Sequence, residues 1–174
     1  MYYSKIIILL SLFVVFACKE SENNLIPNSK IAHNEVATTN KQPRTLSQEF
    51  KDYWYAGTAE ITSYELTQER YGELREGTAV TIFVTEDVLP KEQVKADRSA
   101  PTNVPVLKLN KTKKYTTGIY PYSVMTSTFS PLNKKDHAIK ISHSMQEWCG
   151  HVYVQLNNRD DFNITQHSYF QGEA

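Results

Sequence analysis

Ser144-Met145-Gln146-Glu147-Trp148-Cys149-Gly150-His151 gathers more reactive chemistry than any other stretch of the 174-residue chain. A thiol stands two residues from an imidazole and two from a carboxylate, so Cys149 could act as a nucleophile or redox handle with His151 or Glu147. It could also be one ligand of a metal with His143, His151 or His137. Free cysteine is also among the most buried residue types, and a structural role for Cys149 is the preferred reading. Along one extended strand, same-face neighbours lie about 6.6 Å apart, so a thiolate to imidazole hydrogen bond would need a bend. The apolar pattern changes parity here. Ile139, Ile141 and Met145 are odd, whereas Val152, Val154 and Leu156 are even. Cys149-Gly150 is therefore expected to hold a bulge or a tight turn, where glycine accepts positive φ.

Aromatic side chains form the second constellation. Tyr53-Trp54-Tyr55 and Tyr120-Pro121-Tyr122 are dense enough to line a sugar or peptide groove or to fill a β core. Trp54, Tyr120, Tyr122 and Trp148 are the binding candidates. The 6 glycines make no phosphate or dinucleotide loop, and neither a serine elbow nor a zinc-type cysteine pair occurs. No cofactor and no metal are expected. Charge excludes another class: 19 basic residues balance 19 acidic ones, with no basic stripe of the kind that binds nucleic acid. Lys111-Thr112-Lys113-Lys114 and Lys134-Lys135 read as turns between strands.

The elements that must position these groups follow an N-terminal address. Lys5 precedes the apolar run Ile6 to Phe16, and Val15-Phe16-Ala17 places a small residue directly before Cys18. The run is too short for a span of about 20 helical residues, so residues 1–17 read as a cleaved secretory signal. The segment resembles a bacterial lipobox, in which Cys18 is diacylated and becomes the new N-terminus, anchoring the protein in a membrane. Lys19-Glu20-Ser21-Glu22 lacks aspartate in second place and looks like the export signal of surface lipoproteins, which points to the outer membrane. Residues 18–46 then form a polar, aromatic-poor stretch expected to be a flexible tether.

Residues 47–174 are expected to make one β-rich domain. Ser47 can cap a short helical turn, and after it the period is two. Strands are expected over Tyr55 to Gln68, Thr78 to Thr85, Val104 to Asn110, Tyr115 to Phe129, His137 to Met145, His151 to Asn157 and Phe162 to Phe170. Tyr71-Gly72-Glu73 marks a turn and Glu86 to Asn103 a long loop. Short links imply antiparallel neighbours. The fold class is therefore all-β: an antiparallel meander of about seven strands, as a curved half-barrel or a small closed barrel. The sequence stops just after a strand, which suggests a chain continuing past Ala174.

The stretches YWYAGTAEITSYELTQERYGELREGTAVTIFVTED, VPVLKLN, TGIYPYS and SMQEWCGHVYVQLNN resemble uncharacterised lipoproteins of Bacteroidota over Tyr53 to Phe170. Members of that family often carry the label septum formation inhibitor Maf. The label implies a cytoplasmic nucleotide pyrophosphatase of α/β fold with an N-terminal Ser-x-Ser-x-Arg-Arg signature. This chain has no such signature, and its period of two opposes that fold. The resemblance brings no established activity and no catalytic residues to transfer. A tether plus a β domain without a recognisable reaction centre points instead to a non-catalytic binding or assembly module with an envelope protein, lipid or glycan as partner.

Overall fold

The structure, a computed structural model, describes residues 42–173. The signal, Cys18 and the tether up to residue 41 lie outside the described residues. A short helix, α1 (Gln48–Trp54), opens the domain. Ser47 is its cap: its Oγ accepts the Phe50 N–H at 3.1 Å, and Glu49 lies in the first turn, where a negative charge is favourable.

Seven strands follow, β1 (Glu60–Arg70), β2 (Glu73–Val88), β3 (Val104–Thr117), β4 (Tyr120–Pro131), β5 (Lys140–Glu147), β6 (Gly150–Asn158) and β7 (Phe162–Ser168). They form one antiparallel sheet in chain order, so each strand pairs with its sequence neighbours. The expected all-β meander is present. The sheet curls but does not close: β1 and β7 are its two edges, and the barrel alternative is set aside. No α/β arrangement of the pyrophosphatase kind occurs among the described residues.

Three two-residue turns set the register at one end of the sheet. Tyr71-Gly72 joins β1 to β2 with φ of 58° and 75°, the mirror-image pattern that matches strand twist. Gly118-Ile119 joins β3 to β4, with Gly118 at φ 59°. Trp148-Cys149 joins β5 to β6, with neither residue at positive φ. The turn, rather than a bulge, therefore causes the parity change.

Several expected boundaries move: β1 begins at Glu60 rather than Tyr55, which caps α1, β2 at Glu73 rather than Thr78 and β5 at Lys140 rather than His137, and β7 ends at Ser168. Lys111 to Lys114 lies inside β3 rather than in a turn, and the expected strand Tyr115 to Phe129 is broken at Gly118. Lys111 and Lys113 share one face of β3 and Lys114 takes the other, and Lys113 Nζ donates to Gln68 Oε1 at 2.9 Å. A half-buried sheet tolerates such residues where one end of the side chain reaches water. The β2 to β3 loop is also shorter than expected, because β2 runs on to Val88.

The small apolar core sits at the opposite end, where Val88, Val106 and Ile139 are buried against Val104 and Phe129. Gln93, with φ 56°, seals it from the β2 to β3 loop. Its Nε2 donates to Asn158 O at 2.7 Å, its Oε1 accepts from Asn157 Nδ2, and its carbonyl accepts from Lys140 Nζ at 3.1 Å. On the other face a cross-strand row, Phe83, Leu109, Thr128, Ile141, Leu156 and Ile164, runs from β2 to β7. Helix α1 covers its β2 end: Trp54 meets Phe83 edge-on at 6.0 Å, and Thr85 Oγ1 donates to Trp54 O at 2.7 Å.

Candidate functional site

The hairpin register decides what Cys149 can reach. Gln146 pairs with His151 and Glu147 with Gly150, so Glu147 and His151 project to opposite faces of the sheet. Cys149 stands in the turn between them, exposed, and the buried-core reading is corrected. Glu147 is itself buried, and its Oε2 accepts the Cys149 N–H at 2.9 Å. The same carboxylate raises the thiol above its usual pKa, through a hydrogen bond first and then burial and charge repulsion. Reactive thiols need the reverse, a nearby cation or helix N-terminus that favours thiolate.

The histidines are scattered. His143 Nδ1 lies 2.9 Å from Thr126 Oγ1 on the face opposite His151, and His137 packs against Phe162 at 6.0 Å in the β4 to β5 link. No group of three metal-type ligands comes together among the described residues.

The aromatic candidates divide. Trp54 belongs to α1 and packs on Phe83, away from the others. Tyr120, Tyr122 and Trp148 meet at the turn end of the sheet. Tyr120 and Trp148, from adjacent hairpins, have ring centroids 5.1 Å apart. Tyr122 stacks on Tyr115 directly across β3 and β4, with centroids 4.9 Å apart and planes within 3°. Gly77 of β2 is the residue paired with Tyr115 on the other side, where an added Cβ would lie 2.8 Å from Tyr115 Cβ.

Arg70 completes the assembly, its guanidinium 4.5 Å from the Tyr71 ring centre and 5.3 Å from that of Tyr122. Its Nη2 donates to Tyr71 Oη at 3.3 Å, and the Tyr71 and Tyr122 hydroxyls lie 3.2 Å apart. The hydrogen bond to Tyr122 raises the Tyr71 pKa, partly opposed by the Arg70 charge. At the far side Tyr169 lies over Gly150, and its N–H donates to His151 O at 3.3 Å.

The result is an aromatic ledge along one end of the sheet. Arg70, Tyr71, Tyr115 and Tyr169 belong to it and were not among the sequence candidates. The signal that would have found Tyr115 is its spacing from Tyr122: the two are symmetric about Gly118-Ile119, so a hairpin there must pair them. A cleft of about 470 Å³ opens at the ledge, lined by Tyr115 and Tyr122 together with Glu76, Lys114, Thr116 and Pro121.

No family model, no curated protein and no solved structure matches the chain.

Proposed function

We propose that this protein is an outer-membrane lipoprotein, acylated at Cys18 and facing the cell surface, whose curled sheet is a non-catalytic binding or assembly module. The leader Ile6 to Ala17 followed by Cys18 supports the membrane tether, and the likeness to Bacteroidota lipoproteins supports the envelope address. The observation that carries the binding role is the ledge. Trp148, Tyr71 and Tyr169 are 62%, 71% and 72% exposed, while Tyr115 and Tyr122 at the same end of the sheet are buried. Large aromatic side chains left in water beside a stacked, hydrogen-bonded pair form a contact surface for a protein, lipid or glycan of the envelope.

Fractionation tests the tether. The wild-type chain is expected to stay with membranes through a high-salt wash, and Cys18→Ala to move to the soluble fraction. A Cys18→Ala protein that remained wholly membrane-bound would refute it.

A further inference from the structure

We infer that the ledge is a bilayer-facing edge, whose hairpin tips rest at the headgroup boundary of a zwitterionic phospholipid surface. The inference rests on the tethering proposed above and names what the ledge meets. Chain order places the β1–β2, β3–β4 and β5–β6 turns and the end of β7 at one end of the sheet. Each presents a large exposed side chain: Tyr71, Ile119, Trp148 and Tyr169. Rings with an apolar body and a polar tip concentrate at the level of lipid headgroups.

The spacing separates a bilayer from other occupants. Successive hairpin tips stand about 10 Å apart, so the exposed tips Tyr71, Ile119 and Trp148 form a narrow row along the sheet end rather than one broad patch. A stable protein partner would need about 800 Å² of continuous surface on each side.

Charge selects the kind of lipid. Four cations of the last cross-strand rows, Arg70, Arg75, Lys113 and Lys114, stand among five carboxylates, so no net positive field draws the ledge to anionic headgroups.

Reach permits the contact. The described chain enters at the other end, where Pro43 pairs with Lys134, and the 16 residues of β2 span about 50 Å. The stretch from Cys18 to Gln42 can extend to roughly 80 Å, which exceeds the length of the sheet.

The test uses the full acylated chain carrying Trp54→Phe, which leaves Trp148 as the one indole of the 2 in the sequence. On phosphatidylcholine vesicles Trp148 emission is expected to shift to the blue and to be quenched by lipid brominated near the headgroup. Adding Ile119→Ser and Tyr120→Ser should weaken that quenching roughly threefold or more, while flotation with the vesicles persists through the anchor. A polarity-sensitive dye on Cys149 of the otherwise unaltered chain gives the same readout without Trp54→Phe. Salt should change the signal little.

Protein that floats with the vesicles while Trp148 and the Cys149 dye stay in water would overturn the inference and leave the tether standing. Shielding that arises only on adding a soluble protein or glycan would assign the ledge to that partner and overturn it too. Failure to float would remove both readings.

Discussion

A methyl group at Gly150 has nowhere to go, because its Cβ would come within 2.6 Å of Tyr169 Cβ and Cγ. The need at Gly150 is therefore space for a ring, and its φ is not positive. Gly150→Ala is expected to cost about 1–2 kcal/mol in urea unfolding, and most of that cost should vanish in a Tyr169→Ala background. At Cys149 the neighbouring carboxylate suppresses thiolate, so alkylation of the native protein should be slow below neutral pH. Glu147→Gln keeps an acceptor for the Cys149 N–H but removes the charge. The thiol pKa then falls towards its ordinary value, and the midpoint of the alkylation rate against pH should move to lower pH. An unchanged profile would mean that Glu147 does not control this thiol.

At the level of elements, the sequence was legible wherever apolar alternation met a turn signal. The first halves of β2 and β6 show period-two burial, and Tyr71-Gly72 announced the first hairpin. Legibility failed at β3 and β4, where Lys111-Thr112-Lys113-Lys114 has turn-like polarity and Tyr115 to Phe129 has unbroken β propensity. Tertiary pairing overrode both: Lys113 and Lys114 are paired on each side by β2 and β4, and Gly118 supplies the positive φ. Read through Gly118 as one strand, Tyr115 and Tyr122 fall on opposite faces; folded back there, they stack. The same slip of parity separated Glu147 from His151, so the candidate thiol site dissolved and the ledge emerged.

Two variants check these pairings. Thr112→Pro in the interior strand β3 should cost about 3 kcal/mol or more and prevent a cooperative transition, whereas a true turn would accept proline. Gly118→Ala should cost about 1–2 kcal/mol through its backbone conformation, since open space surrounds an added Cβ there.

For the molecule as a whole, the sheet has two unequal edges. β1 carries Glu60, Glu65, Glu69 and Arg70 along its length, the charges that discourage strand addition. β7, FNITQHS, carries no acidic or lysine residue, and Phe162 and Ile164 on its outer half are exposed. Ile164→Lys is expected to change unfolding free energy by less than about 0.5 kcal/mol while raising the concentration at which the protein begins to scatter light. Aggregation unaffected by this charge would locate the sticky surface elsewhere.

Strand order in this meander also sets how the fold is reached. No strand waits for a partner from a distant part of the chain, and three hairpins close over two residues each. Such low contact order places refolding at the fast end of the range for β proteins, on the order of milliseconds to tens of milliseconds. A thread delivered end-first through a narrow channel could thus zip up hairpin by hairpin as it emerged, leaving little time for its unpaired strands to find those of a neighbour.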